Sequence, residues 1–261
     1  MKKQTGLIEL LHYKELLRQL VIKDIKLKYR RSYLGYIWSI LNPLLMMTVL
    51  VIVFSQLFRF DIPNFAVYLL SGQVLFSFLS EATTMAVSSI VGNAPLLKKT
   101  YVPKYIFTIS KVTSSLVNLL FSLVALVLVM IFTQVSFTWN ILWFPVVLLE
   151  VYVFSLGVSL ILAATAVFFR DIQYLWGVFI SIWMYLTPII YPVSIISEEY
   201  RWWYDNLNPM YGYVTQFRDV VLNGNPLPLE WLTQGFIVAF AFLFIGYWVF
   251  KRKQNQFILY I

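Results

Sequence analysis

Long uncharged apolar stretches alternate with short polar segments along most of the chain. The first of these stretches, residues 37–58, has 22 residues and no charge. At 1.5 Å per residue, a helix of this length crosses the roughly 30 Å hydrocarbon core of a bilayer. The same pattern recurs, and it predicts an all-α integral membrane protein with six transmembrane helices, at residues 37–58, 65–90, 105–132, 141–169, 174–196 and 231–250.

The segment that precedes the first predicted span has its own pattern. Apolar residues recur at helical spacing, and most lysines and arginines lie elsewhere on the helix. This pattern is typical of an amphipathic helix that lies in the membrane interface. Residues 1–36 are therefore predicted to form a cytoplasmic interfacial helix and a basic turn, with this apolar face: Leu10, Tyr13, Leu17, Leu20, Val21 and Ile25.

Residues 197–230, between the fifth and sixth predicted spans, are too aromatic for a plain solvated loop. They predict short helices that lie at the interface or dip into it, with a break at Asn208-Pro209. We assign this segment to an outer gate, whose candidate aromatic residues are Trp202, Trp203, Tyr204, Tyr211 and Tyr213.

The distribution of positive charge sets the predicted orientation. Sixteen of the 20 lysines and arginines fall on segments that six spans would place on one side of the membrane, including the tail 251–261. Because Lys and Arg next to a span resist translocation, both termini are predicted to be cytoplasmic. One exception, Lys111, lies inside the third predicted span.

Composition agrees with a membrane protein. Hydrophobic residues make up 60% of the chain, charged residues 12%, and the mean hydropathy is +0.76. The net charge of +8 is explained by membrane topology and anionic lipids, so a nucleic acid partner is not expected. Lys2 and Lys3 precede an amphipathic segment, so no cleavable signal peptide is expected. The absence of cysteine excludes disulfides and thiolate nucleophiles.

The sequence contains few of the residues that enzymatic catalysis commonly uses. His12 is the single histidine, which excludes a histidine-based triad or a multi-histidine metal site. Residues 92–100 superficially resemble a phosphate-binding loop, but Leu97 stands where the second glycine is needed. No ATP site, metal or other cofactor is therefore expected in this chain. Glu81 and Glu150, the carboxylates inside the spans, are predicted to hydrogen-bond to neighbouring helices.

Three ordered constellations suggest a family. They are residues 28–38 (KYRRSYLGYIW), residues 93–104 (NAPLLKKTYVPK), and a set from Phe169-Arg170-Asp171 through TPIIYP at 187–192 to Asn208-Pro209-Met210 and Phe217-Arg218-Asp219. On six spans and in this order, the chain closely resembles the permease subunit of type-2 ABC exporters for O-antigen, capsular polysaccharide and teichoic acid. The resemblance covers essentially the whole chain. Lys104 departs from it, since arginine is expected there.

The resemblance implies a transport subunit of the bacterial inner membrane, not an enzyme. Members of the family form homodimers that engage two copies of a separate cytoplasmic ATPase, and ATP and magnesium bind to that partner. They move a glycan attached to a polyprenyl diphosphate lipid from the inner to the outer leaflet. This chain is accordingly expected to contact itself, the ATPase, the glycan lipid and membrane lipids.

Three sets of candidate site residues follow. The turn before the first span is a candidate gateway for the lipid diphosphate, because arginine donates two hydrogen bonds to phosphate and glycine permits close approach. The loop 91–104 resembles the family's coupling helix, and aromatic faces inside spans suit sliding sugars. The gateway residues are Arg30, Arg31, Tyr33, Leu34, Gly35 and Tyr36; the coupling residues are Pro95, Leu96, Leu97, Lys98, Lys99, Tyr101 and Lys104; the channel aromatics are Trp38, Tyr68, Phe76, Trp183 and Tyr185.

Plainer interpretations of these residues remain open. The arginines also serve as ordinary topology determinants, the loop as a passive connector, and the aromatics as a lipid-facing belt. Two other functions remain open as well: a type-2 ABC permease for a drug or simple lipid, and a membrane-embedded transferase. The transferase needs a catalytic acidic cluster, and the outer segment with Glu198, Glu199 and Asp205 is the one available.

Overall fold

The structure is a computed structural model that describes residues 12–28, 30, 32–57 and 62–261, without the side chains of 55–57. Eleven α-helices are found in these ranges, and no strand. They are α1 Lys14–Lys28, α2 Trp38–Leu57, α3 Phe65–Val87, α4 Ala94–Lys99, α5 Tyr105–Phe132, α6 Phe144–Ala166, α7 Ile172–Leu186, α8 Glu198–Leu207, α9 Pro209–Val221, α10 Leu229–Lys253 and α11 Phe257–Tyr260.

Five helices within the described ranges are long and apolar enough to cross a membrane, namely α2, α3, α5, α6 and α10 with their short 3-10 extensions. They confirm the all-α membrane fold and match five of the six predicted spans. The boundaries of α5 agree with the predicted span at both ends. The agreement has a simple cause: bilayer thickness sets the length of an apolar helix, and length is read directly from the sequence.

The predicted span 174–196 is wrong in extent. Its helix, α7, has 15 residues and ends at Leu186, so it is about 22 Å long and shorter than the hydrocarbon core. Thr187 is extended, with φ −98° and ψ 130°, because the proline that follows disfavours helical geometry in the preceding residue. The two prolines of TPIIYP therefore end the helix, and residues 187–192 continue as irregular backbone.

Helices α3 and α6 form the centre of the molecule, since most of their residues are buried. Helix α10 crosses α6 where two glycines meet. A Cβ at Gly246 would fall on the carbonyl oxygen of Gly157, and a Cβ at Gly157 would fall on the backbone of Phe242. Glycines at this crossing let the two backbones approach closely, as is common between membrane helices.

Helix α1, the described part of the predicted amphipathic helix, packs against α5. Leu20 and Asp24 are buried in this contact. The Asp24 carboxylate accepts a hydrogen bond from Lys111 Nζ at 2.7 Å. This pair explains the lysine inside the third span: the charge is neutralised by the neighbouring helix, as buried charges require.

Helices α2 and α7 bury little of their own surface. Ser39 is the one buried residue of α2 in its described part, and Ile180 is the one buried residue of α7. Both helices consist mostly of large apolar residues. Their outward faces must therefore be covered by lipid or by another protein surface.

Candidate functional site

The gateway turn, residues 30–36, leads from α1 into α2. Arg30 is exposed, and Arg31 lies outside the described residues. Gly35 has φ +47°, a left-handed conformation that glycine adopts without strain. Its N–H donates to the Ser32 hydroxyl at 3.2 Å, and a Cβ on it would meet nothing within 4 Å. The turn is thus open on the side where a ligand would approach the backbone.

The other predicted gateway residues present apolar surface at this turn. Tyr33 is fully exposed, and about half of the Leu34 and Tyr36 side chains is accessible. The Tyr36 ring stacks on Phe121 of α5, with centroids 6.2 Å apart. The turn therefore places exposed cationic and aromatic groups side by side at the start of the first span.

The predicted coupling loop contains the short helix α4, with Pro95 in its first turn. Leu96, Lys98, Lys99 and Tyr101 are exposed, and Tyr101 is completely so. These residues form an outward face of apolar and cationic character. They remain available to a docking partner.

Leu97 points the other way, which corrects the prediction that it docks a partner. Its side chain is 5% exposed and belongs to an apolar cluster with Leu20 of α1, Phe107 of α5 and Phe257 of α11. The turn of α4 that exposes Leu96 necessarily directs Leu97 inward, since neighbouring positions lie 100° apart on a helix. Leu97 therefore anchors α4 to the rest of the chain.

Lys104 is also engaged within the chain. Its Nζ donates to the Gln254 carbonyl oxygen and lies 5.6 Å from the centre of the Phe257 ring. Partial burial lowers the pKa of its amine from the ordinary value. The lysine thus ties the coupling loop to the C-terminal tail, which sequence reasoning did not foresee.

Two of the predicted channel aromatics are buried in the core, which corrects their assignment. Tyr68 and Phe76 on α3 are 9% and 3% exposed. Phe76 packs edge-on against Trp183, and the Tyr68 hydroxyl donates to the Tyr191 carbonyl at 2.9 Å. Because α3 is the central helix, its aromatics meet protein on nearly every side.

The other three predicted channel aromatics reach open space. Trp38 lines a polar cavity of about 370 Å³. Trp183 lines an apolar cavity of about 790 Å³ between α6, α7 and α8, and its indole N–H donates to Asn208 Oδ1 at 2.8 Å. Tyr185 is 66% exposed on the outer face of α7.

Arg218, in the FRD segment, is a buried charge that holds the irregular backbone of residues 187–192. Its guanidinium donates to the carbonyl oxygens of Pro188 at 2.8 Å, Ile189 at 3.2 Å and Tyr68 at 3.0 Å. It also stacks 3.4 Å from the centre of the Tyr68 ring. Irregular backbone at membrane depth needs such internal donors, because lipid offers none. Arg218 thereby replaces the hydrogen bonds that a continued helix would supply.

The outer segment forms two helices that meet at Asn208, as predicted. Asn208 Oδ1 accepts from the Tyr211 N–H at 3.3 Å and caps α9. Trp202 and Trp203 on α8 are more than half exposed, and Tyr204 is half-buried. Tyr211 and Tyr213 on α9 are 4% and 1% exposed. These two tyrosines belong to the core, which corrects their assignment to the surface of the gate.

The two intramembrane carboxylates differ. Glu81 Oε1 accepts from Lys28 Nζ and from Asn118 Nδ2, both at 2.7 Å, which confirms the predicted bonding to neighbouring helices. Glu150 is fully buried against Gly235, and its carboxylate interacts with the Gln216 side chain of α9, although neither of its oxygens forms a hydrogen bond of good geometry in the described ranges. No metal-binding group of three or more His, Cys, Asp or Glu occurs among the described residues.

Sequence reasoning missed the partners of three of the positive charges. Lys28, Lys111 and Arg218 were counted for topology, whereas each contacts a specific group elsewhere in the chain. A signal was present for Lys111, because a lysine within an apolar helix requires a counter-charge. The identity of that counter-charge depends on how the helices pack.

The family model described as ABC-2 type transporter matches residues 15–222. The chain is 34% identical over 251 residues to the O-antigen export system permease protein RfbA of Myxococcus xanthus, which covers 95% of this chain and 96% of that protein. It is 28% identical to the RfbA permease of Klebsiella pneumoniae, with 93% of each covered, and 25% identical to the polysialic acid transport protein KpsM of Escherichia coli, with 90% and 92% covered.

Proposed function

The chain belongs to the ABC-2 type transporter family, and on this premise we propose that it is the membrane subunit of an exporter that moves O-antigen-type or capsular polysaccharide across the bacterial inner membrane. The observation that carries the proposal is similarity along nearly the full chain to permeases named for polysaccharide export. The chain is a multi-pass membrane protein with apolar helices of spanning length.

The energy for transport is assigned to a separate ATPase. The chain contains no phosphate-binding loop, so ATP and magnesium are placed on that partner. We assign its docking to the outward face of α4, where Leu96, Tyr101 and the two lysines are exposed. Exposed apolar groups of this kind contribute to affinity when a partner's groove covers them.

The buried side of α4 provides the coupling between the ATPase and the membrane helices. Leu97 sits in a cluster with residues of α1, α5 and α11, so a displacement of α4 by the ATPase presses on all three elements. Helix α1 leads directly to the gateway turn. The contact chain therefore connects the docking face to the place where substrate is received.

The gateway turn is assigned to the lipid diphosphate of the substrate. Arg30 is exposed, the backbone of Gly35 in the same turn is open, and Arg31 adds a second guanidinium in sequence. Guanidinium groups form bidentate, charge-assisted hydrogen bonds with phosphate oxygens. The exposed Tyr33 and Leu34 suit contact with the lipid next to the head group.

A deletion and complementation experiment tests the proposal. The chain is deleted from its native host and supplied again with or without its ATPase, and surface polysaccharide and lipid-linked glycan are quantified. We expect surface polysaccharide to vanish and glycan lipid to accumulate inside unless both proteins are present. Mass spectrometry of lipid bound to the purified complex identifies the substrate class. Normal surface polysaccharide in the deletion strain, or a bound drug-like or simple lipid in its place, contradicts the proposal.

A further inference from the structure

A polar cavity lies at the two helix ends that the gateway turn connects. It has a volume of about 370 Å³, within the range of about 300–1,000 Å³ typical of ligand pockets. Lys28, the last residue of α1, and Trp38, the first of α2, both line it. The turn therefore lies, in sequence, between two residues of the cavity lining, so a ligand held by the turn would be next to the cavity.

The lining is unusually polar for a space among membrane helices. It combines the Lys28–Glu81 ion pair with amide and hydroxyl side chains from α2, α3 and α5. Ionisable and polar groups in such places are costly and commonly mark a ligand path. The Lys28–Glu81 pair, joined by Asn118, holds α1, α3 and α5 together, but this structural tie does not require the other two amides in the lining, Asn42 and Gln73.

Two lining groups retain hydrogen-bonding capacity. Gln73 Oε1 has no hydrogen-bond partner within the described chain, so its amide can turn toward a ligand without breaking a bond. At Glu81, the bonds from Lys28 and Asn118 both go to Oε1, which leaves Oε2 able to accept. Trp38, 42% exposed, adds an indole face. A sugar has hydroxyl groups, which form hydrogen bonds with amides and carboxylates, and C–H groups, which pack against an aromatic face. The lining offers both kinds of group and therefore suits a sugar.

We propose that this cavity binds the sugar units next to the diphosphate of the lipid-linked glycan. This inference rests on the proposed function, since it takes the gateway turn as the diphosphate site. Glu81 and Gln73 accept hydrogen bonds from sugar hydroxyls, and Trp38 packs against the ring. The cavity thus distinguishes a glycosylated lipid from a bare polyprenyl diphosphate before transport begins.

A cysteine-protection experiment tests the binding itself. Ser77 lines the cavity and is exposed, and the natural chain has no cysteine, so Ser77→Cys provides a single reporter. Inverted membrane vesicles containing the full complex, without ATP, are treated with a maleimide. They come from strains that make the complete glycan lipid or only the bare polyprenyl diphosphate. Asn255→Cys, exposed on the tail, is the control reporter.

We expect the complete glycan lipid to protect Ser77→Cys, the bare lipid not to protect it, and Asn255→Cys to label equally in both. Adding Gln73→Leu should weaken protection about tenfold, the size expected for one lost hydrogen-bonding group. Gln173→Leu, at an exposed amide on α7, should leave protection unchanged.

Two outcomes overturn the inference while leaving the proposed function intact. Equal protection by the bare lipid means that the cavity receives the head group, not sugar. Labelling of Ser77→Cys as complete as that of Asn255→Cys in both strains, with normal export by the Ser77→Cys complex, means that the glycan bypasses the cavity. Failure of the proposed function itself is recognised separately, because polysaccharide would then reach the surface without this chain.

Discussion

Arg218 brings a positive charge into the interior with no carboxylate paired to it in the described part of the chain. Its partners are carbonyl oxygens of residues 187–192 and of Tyr68, and the Tyr68 ring lies against its face. Gly72 makes room for the guanidinium, because a Cβ there would lie 2.8 Å from Nη2. Planarity and five donors suit arginine to this position, whereas lysine offers a point charge.

The first prediction concerns the substitution Arg218→Lys. Lysine cannot bind the separate carbonyl groups in one plane or stack on the tyrosine, so we expect a loss of about 2–3 kcal/mol of folding free energy. Thermal unfolding in detergent and proteolysis near residues 187–192 measure it. Arg170→Lys, at an exposed position on the predicted cytoplasmic side, is the matched control. An unchanged Tm for Arg218→Lys argues against the role of Arg218.

A second prediction at the residue scale tests whether Arg30 and Arg31 bind the lipid diphosphate or only determine the membrane topology. In the double variant Arg30→Lys and Arg31→Lys the positive charge persists, so insertion and assembly should be normal. Bidentate phosphate binding is lost, so substrate-stimulated ATPase activity of the complex and export should fall about tenfold or more. If export is unaffected with both lysines in place, these arginines only set topology.

At the scale of elements, the docking of α1 depends on an ion pair with little exposure. The side chains of Lys111 and Asp24 are 18% and 6% exposed, and Ser114 lies 3.5 Å from the same carboxylate. Removal of one partner leaves an uncompensated charge inside the protein. Such losses cost about 3–5 kcal/mol, far more than the loss of a surface pair.

The third prediction therefore uses a charge exchange. Asp24→Asn should lower the Tm strongly and release α1, and Asp24→Lys combined with Lys111→Asp should recover much of the loss. Glu15→Gln, which breaks the exposed Glu15–Arg18 pair, should change stability by less than about 1 kcal/mol. Equal effects of Asp24→Asn and Glu15→Gln would show that the buried pair does not hold α1.

The fourth prediction tests the outward face of α4. Leu96→Ser with Tyr101→Ser should preserve folding, because both side chains are exposed, but reduce co-purification of the ATPase and uncouple its activity from export. Each buried apolar group at the interface contributes roughly 1–3 kcal/mol. The control, Trp139→Ser with Leu142→Ser, removes similarly exposed apolar side chains on the predicted outer side. ATPase binding and export that remain normal in the α4 variant would exclude this face.

At the scale of the whole molecule, the exposed apolar faces of α2 and α7 are available for contact with a second copy of the chain. Helix α7 is shorter than the hydrocarbon core, and large apolar side chains such as Val178 and Phe179 are exposed on it, so lipid alone would cover this face with a length mismatch. Protein cover is the physical alternative. We expect a homodimer with α7 at or near the contact between subunits.

The fifth prediction follows from this expectation. The natural chain lacks cysteine, so Val178→Cys on the exposed face of α7 should form a disulfide between two subunits under oxidation. Val124→Cys on the exposed face of α5 is the control and should not cross-link. Light scattering of the complex in detergent gives the subunit count independently. A monomeric complex, or equal cross-linking at both positions, contradicts the expected dimer contact.

The sequence by itself determined the membrane class, five of the spans, the amphipathic first helix and the break at Asn208. Each of these depends on length, local periodicity or a proline, and these properties belong to a single segment of chain. The resemblance in motif order supplied the family. None of this required knowledge of which helices are neighbours.

Only the tertiary structure decided which side chains face one another. Four aromatic residues are predicted to be exposed and functional, yet each is buried because other helices surround its own: Tyr68, Phe76, Tyr211 and Tyr213. The pairing of Lys111 with Asp24, 87 residues away, likewise depends on packing. An apolar membrane segment presents hydrophobic residues all around, so its pattern does not distinguish the face toward lipid from the face toward protein.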